Sequence, residues 1–211
     1  MATWSNWITK ANEKNIPFPL LIDQPKDLER LYSSGLPCFD YILIQGKDYS
    51  LNNKEIIQFF LRHNKTWVRI TNQKTKERFG KLGIISFKEL NTFIASLNVK
   101  LNNFTIQLYE FHDNKIGGNI ISNKEGVFIE LIEGSQDKIE RSKEPYFHGH
   151  LESNGELVFF EKSVPEEIIK STKIVLNFLK LGRNDYLLGY FEFAITIENK
   201  VFFFDYKTSF G

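Results

Sequence analysis

Glu192, Asp205 and Lys207 lie close together near the C-terminus, in the stretch GYFEFAITIENKVFFFDYKTS. It reads as two strands, 187–197 and 201–206, around a turn at Glu198-Asn199-Lys200. Alternation puts Phe191, Phe193, Ile195 and Ile197 on one face and Glu192, Ala194 and Thr196 on the other. On the return strand Phe202, Phe204 and Tyr206 share one face, and Phe203, Asp205 and Lys207 share the opposite one. A loop at 198–199 sets Glu192 opposite Asp205; a loop at 199–200 sets it opposite Lys207, with Asp205 diagonal. Either register groups two carboxylates and an ammonium over an aromatic layer. Facing carboxylates repel unless a cation lies between them. Hard oxygens beside a lysine suit Mg²⁺ and a polyphosphate. The competing reading is a solvated strand face with a chance charge pair.

Other residues that could do chemistry give weaker patterns. His148 and His150 share a strand face and could ligate a metal, but no third ligand is near in sequence, so solvated histidines are the expectation. Cys38, in Leu36-Pro37-Cys38-Phe39, has an apolar setting that suits an inert buried thiol. Trp4 and Trp7 are expected to dock a flanking segment or to mark a partner site. A Gly-x-Ser-x-Gly elbow, a Walker loop, a His-Glu-x-x-His and zinc-type Cys spacing are all missing.

The elements that must position these residues follow from periodicity. Helices are expected over 54–63, over 87–97 with Ser86 as N-cap and Glu89 closing a capping box, and over 165–181, opened by Pro165 and closed at Gly182. A shorter helix is expected over 25–34. Strands are expected at 104–110, 116–121, 126–132, 146–151 and 156–161, the last pair around the turn dipeptide Asn154-Gly155. This order gives an α+β protein with mainly antiparallel sheets. No βαβ regularity is present.

Composition bounds the answer. The 211 residues carry 27 basic and 26 acidic side chains, a net charge of +1, which offers no bulk pull toward nucleic acid or an acidic membrane. With 42% hydrophobic residues and 20 Phe the chain can bury a substantial core. A single Cys excludes an intramolecular disulfide, and no apolar run approaches the ~20 residues of a membrane helix. The expectation is one cytoplasmic domain with neither nucleic-acid nor membrane partner.

The order of motifs resembles a known family, the nucleotide-binding domain of phosphoenolpyruvate synthases and pyruvate phosphate dikinases, an ATP-grasp fold. That family opens with Gly-Gly-Lys, a short helix and Gly-Leu-Pro. Here Gln24-Pro25-Lys26 leads to Gly35-Leu36-Pro37 at the same spacing. Trp67-Val68-Arg69-Ile70-Thr71 is similar to its Val-Arg-Ser strand, and Thr105–Glu110 to the hinge strand beside adenine. Ile116–Ile121 stands where the family has Ser-Gly-Val and a strand. Phe128–Gly134 is similar to its Ile-Glu segment before a Gly-rich turn, and Pro145 falls where a proline follows. Phe191-Glu192-Phe193-Ala194 resembles its Ile-Glu-Trp-Ala, and Phe204-Asp205-Tyr206-Lys207 its Leu-Gln-x-Arg.

The resemblance, over about residues 24–208, implies a two-lobed ATP-grasp fold in a single domain of 1–211. The helix-bearing lobe would cover about 24–103 and the strand-rich lobe 104–211. Lys26, Arg69 and Lys207 would neutralise phosphate, and Glu192 and Asp205 would hold Mg²⁺. Gln107, Tyr109, Glu110 and Glu130 would contact the nucleotide. Against these roles, Lys26 could be an exposed helix lysine. Arg69 could merely stack on Trp67 or pair with Glu77, and Glu110 and Glu130 could be ordinary edge carboxylates. The implied function is an ATP/Mg-binding phosphotransfer domain, kinase-like. It would pass phosphate to a small-molecule acceptor, to water, or to a partner protein with a phosphorylatable histidine. The alternatives are an ATP-grasp ligase-like enzyme forming an acylphosphate, or a non-catalytic nucleotide sensor. Asp205 in place of Gln favours the ligase, and the lost glycines at Gln24-Pro25 favour the sensor. Because the chain ends at about where that nucleotide domain ends, it is expected to be a free-standing domain, a piece of a longer chain, or a repurposed binder.

Overall fold

A computed structural model describes residues 24–50, 52–124, 126–134, 147–152, 154–182 and 185–207. Trp4, Trp7 and Pro145 lie outside the described residues. The chain forms two compact units: Phe39–His112, and Met1–Cys38 together with Asp113–Gly211.

In the smaller unit β1 (Tyr41–Gln45), β2 (Thr66–Asn72), β3 (Arg78–Ile84) and β4 (Phe104–Glu110) form an antiparallel sheet in the order β1-β4-β2-β3. Helices α2 (Lys54–Arg62) and α3 (Phe87–Ser96) supply its apolar layer. The period of two sends Ile42, Ile44, Val68, Ile70, Ile106 and Leu108 into one cluster with Ile56, Phe59, Leu90 and Ile94. Both helix starts are set by local chemistry. The Asn53 side chain accepts the Ile56 N–H, and the Ser86 hydroxyl accepts the Glu89 N–H at 3.2 Å. Glu89 reaches one residue further back than a capping box requires: Oε2 accepts the Ile85 N–H at 3.2 Å, while Oε1 meets Lys81 Nζ at 3.1 Å. Those two contacts hold its carboxyl below the usual range.

The sequence boundary at 103/104 is displaced. The 104–110 strand pairs with β1 and β2 along its length and so belongs with the smaller unit. The short apolar β1 and the glycine-interrupted β3 hid the reason. β1 and β3 carry weak periodicity and become strands through their partners, not through propensity.

Among the described residues, the larger unit has a sheet of six antiparallel strands in the order β10-β9-β5-β6-β7-β8. They are β5 (Asn114–Asn123), β6 (Gly126–Glu133), β7 (Phe147–Leu151), β8 (Leu157–Phe159), β9 (Gly189–Thr196) and β10 (Val201–Lys207). Its core takes Ile168, Val175, Leu176 and Leu179 from α4 (Glu166–Leu179) and Leu31 from α1 (Gln24–Ser33). The sheet adds Ile116, Ile120, Ile129, Leu131, Phe191, Phe193 and Phe203. Each such side chain contributes about 1.5–3 kcal/mol on burial. Pro165 is the N-cap of α4, one residue outside the expected start, its carbonyl accepting the Ile168 N–H. The helix also stops before Gly182. Lys180 turns extended to bridge Tyr186, and the Leu187 N–H closes on the Leu179 carbonyl.

Candidate functional site

The terminal hairpin turns through a loop in which Thr196 and Lys200 are hydrogen-bonded and Asn199 takes φ 63°. The Thr196 hydroxyl accepts from the N–H groups of Glu198 and Lys200, which fixes that loop. Val201 then faces Ile195, Phe202 faces Ala194 and Phe203 faces Phe193. A bulge follows at Phe204, and Asp205 faces Glu192. The first of the two sequence registers is therefore reached by a bulge, not by a two-residue loop. The extra residue also corrects the expected faces. Phe203 and Tyr206 both turn into the core, where the Tyr206 ring stacks on Phe191 at 4.6 Å. Phe203 does not share the polar face with Asp205 and Lys207.

On that polar face Lys207 is paired with Tyr190, and its Nζ lies 2.5 Å from Asp205 Oδ2 and 5.1 Å above the Tyr190 ring. The Tyr190 hydroxyl donates to Glu192 Oε1 at 2.7 Å and lies 3.3 Å from Asn119 Oδ1. Burial, with the Glu192 charge next, pushes the Tyr190 phenol well above its ordinary range, so it is held as a donor.

The row continues strand by strand. Asn119 on β5 faces Glu192 on one side and Glu130 of β6 on the other, and Glu130 faces His148 of β7. Glu130 is 2% exposed, and neither of its oxygens makes a hydrogen bond of full geometry. Burial pushes its carboxyl up to about 7, with the adjacent Asn119 amide opposing in part. His148 is not a solvated histidine. Glu161 takes its backbone N–H at 2.9 Å and its Nδ1 at 2.8 Å, while Nε2 lies 3.8 Å from Glu130 Oε1. His150 lies between the rings of Phe128 and Phe160. Among the described residues no three His, Cys, Asp or Glu side chains are grouped to hold a metal on their own. Glu130 is thus no edge carboxylate but the centre of a buried polar row. Sequence reasoning missed Tyr190, Asn119 and Glu161. The only signal for Tyr190 was its period-two spacing from Glu192.

The remaining candidates fall in the smaller unit, except Lys26, which lies on α1 with its side chain outside the described residues. Arg69 faces Gln107 across β2 and β4, and Trp67 faces Tyr109, which also faces Tyr41. The Tyr109 ring stacks between Trp67 (4.9 Å) and Tyr41 (5.9 Å), and the Arg69 guanidinium lies 4.5 Å over Trp67. Gln107 is buried beside this ladder. Glu110 is engaged otherwise. Its Oε1 meets His112 Nε2 at 2.7 Å and His63 Nδ1 at 3.6 Å, and its Oε2 accepts the Asp40 N–H. Cys38 is half-buried, donates to the Leu36 carbonyl, and is pushed up to about 11 by burial, as an inert thiol should be. Among the described residues no helix is long and apolar enough to cross a membrane.

No protein family model matches the chain. No curated protein matches it either. Among solved structures it is similar to a RiPP-associated ATP-grasp ligase from Chryseobacterium gregarium in complex with ADP and a leader and core peptide. The TM-score is 0.45 at 13% identity, covering 90% of this chain and 52% of that one. It is also similar to the D-alanine-D-alanine ligase from Coxiella burnetii (TM-score 0.48, 10% identity, 96% and 54% covered). A third is the N5-carboxyaminoimidazole synthetase from Staphylococcus aureus complexed with ADP (TM-score 0.45, 16% identity, 91% and 45% covered). The chain spans about half the length of these proteins. The chemistry of the site rests on its own residues.

Proposed function

We propose that this chain is an ATP-grasp-like module that binds ATP with Mg²⁺ and activates a carboxyl group as an acylphosphate, in the manner of an ATP-grasp ligase. The observation that carries this reading is Asp205 set opposite Glu192, with the Lys207 ammonium on the same face. Two carboxylates in register offer the hard oxygens that Mg²⁺ prefers. When bound, the ion would offset phosphate charge. Tyr190 orients Glu192 by donating to it, and Lys207 restrains Asp205.

Lys26 and Arg69 are assigned to phosphate, where positioned cations supply much of what phosphoryl transfer requires. Gln107 and Tyr109 are assigned to the nucleotide, Tyr109 by its place in the aromatic ladder. Glu110 is assigned to the nucleotide only by its place at the end of the same strand, because its carboxylate is engaged by His63, His112 and the Asp40 N–H. A second reading, the phosphotransfer domain with a small acceptor or a partner histidine, draws on the order of motifs from Lys26 to Lys207. The sensor reading draws on Gln24-Pro25, which open α1 where the resembling family has glycines. The three similar proteins named above are ligases or synthetases by name, and none is a phosphoenolpyruvate synthase.

The test is ADP release with Mg–ATP and a panel of carboxylic acids, with hydroxylamine added to trap an acylphosphate as the hydroxamate. Hydroxamate that forms only with ATP and Mg²⁺ supports the ligase reading. ADP release without hydroxamate moves the assignment to phosphotransfer, and binding without turnover moves it to the sensor.

A further inference from the structure

Strand β6, inside the six-stranded sheet, carries a buried carboxyl group that its neighbours satisfy only in part. Glu130 lies between Asn119 and His148, is 2% exposed, and has two oxygens lacking full hydrogen bonds. Buried polar groups without partners are uncommon, and each calls for a reason. A structural role does not supply one here, since an apolar residue at the same place would avoid the desolvation cost.

The surroundings are arranged for a proton. Glu161 binds His148 twice, through the backbone N–H and through Nδ1, which fixes the ring and leaves Nε2 turned toward Glu130. A carboxylate on Nδ1 also fixes which ring nitrogen carries the hydrogen and how the ring is oriented. On the other side stands Asn119, then Glu192 and the Tyr190 hydroxyl, which Glu130 reaches electrostatically. Asp205 and Lys207 close the row. Glu130, Asn119 and His148 thus present two acceptor oxygens, an amide and a basic nitrogen in consecutive register positions beside the carboxylate pair.

We infer that Glu130 is the base for an amine-bearing acceptor: it binds the ammonium group and takes its proton, with His148 and Glu161 as positioning residues that hold the ring against its carboxyl. The inference deepens the ligase reading and rests on it for the identity of the electrophile. In the step, one N–H bond of the ammonium breaks and the proton goes to a Glu130 oxygen. The freed nitrogen pair forms the C–N bond to the acylphosphate carbon. The C–O bond to phosphate breaks, phosphate leaves with that electron pair, and the second proton on the nitrogen passes to the departing phosphate, leaving a neutral amide. A carboxyl whose burial brings it near neutrality is matched to this task. The ligand class is therefore a primary amine, such as an amino acid or an amine side chain.

Two arms on the full chain test this separately from nucleotide binding. In the first, NMR follows the side-chain carboxyl carbon of Glu130 as ethylammonium is added without nucleotide, with tetramethylammonium, which has no N–H, as the control. A shift toward the ionised form with ethylammonium alone is expected, weakened in His148→Asn and Glu161→Gln. No shift, or equal shifts with both cations, overturns the inference. In the second, Glu130→Gln, which mimics the neutral carboxyl and should fold, is assayed for amine-dependent ADP release. A fall of roughly a hundredfold with loss of the acid limb of the pH profile is expected, while stabilisation by Mg–ATP persists. An unchanged pH profile overturns it. If Mg–ATP stabilises neither protein, the ligase reading fails, and the ethylammonium arm still decides whether Glu130 is an amine site.

Discussion

Both sheets pack one face into an apolar core, and their opposite faces carry different chemistry. The six-stranded sheet runs Lys207, Asp205, Glu192, Asn119, Glu130 and His148 across consecutive strands, a row of charges and proton carriers. The four-stranded sheet sets Tyr41, Tyr109 and Trp67 in register, with Arg69 stacked on the last. One face suits cations and proton transfer; the other suits stacking and a single positive charge. The contrast teaches that burial acts oppositely in the two places. Aromatic rings gain from it, whereas each carboxylate in the row raises its own demand for a partner.

The sharpest way to break the contrast is to remove charge from the row alone. Glu192→Gln or Asp205→Asn should abolish Mg²⁺-dependent ADP release while the far-UV circular dichroism is unchanged. Turnover retained in both would remove the hairpin as the metal site.

Packing separates the sheets next. A Cβ on Gly118 would meet the Glu130 carbonyl oxygen at 2.5 Å and the Phe193 ring at 2.6 Å. On Gly80 of β3 the nearest atom would be 3.5 Å away. Gly118→Ala should therefore cost about 3 kcal/mol in urea unfolding, and Gly80→Ala within about 0.5 kcal/mol. Equal costs would mean that β5 has slack the register does not show.

Acid–base behaviour should also differ. Glu130 ionises at about 7 when folded and near 4.5 when unfolded, so the folded state binds the extra proton between those values. Its contribution is full below about 4.5 and is lost as pH rises toward 7, a fall of a few kcal/mol. Glu130→Gln should flatten that segment of the stability curve. A wild-type curve that is flat there would place the carboxyl in contact with water. The smallest effect is expected on the aromatic face. Arg69→Gln should cost about 0.5–1 kcal/mol in stability through the lost cation–π contact, yet weaken Mg–ATP binding by more if the phosphate role is right. Equal, small effects on both would leave Arg69 as a stacking residue.

Sequence periodicity made most of the fold legible. The helices at 54–63 and 87–97 and the strand at 104–110 stand within a residue of their expected bounds, because strong 3.6- and 2-residue patterns coincide there with caps. What escaped were features set by tertiary pairing. The Phe204 bulge, which turns Phe203 into the core, leaves no local mark in a run of aromatic residues. Glu161 reaches His148 from 13 residues away, so the histidine looked solvated. Glu130 looked like an edge carboxylate because nothing in Phe128-Ile129-Glu130 records that β6 is flanked on both sides. The Glu192–Asp205 pair was legible because a hairpin is local; the rest of its row was not, because it assembles from strands far apart in the chain.

The most direct measurement is an isothermal titration of the full chain with ATP, with and without Mg²⁺, in wild type and in Glu192→Gln with Asp205→Asn. The expected result is Mg²⁺-dependent binding that the double substitution removes without unfolding the protein. Binding that persists in the double variant, or no binding of ATP by wild type at millimolar concentration, would contradict the assignment of this face to nucleotide and metal.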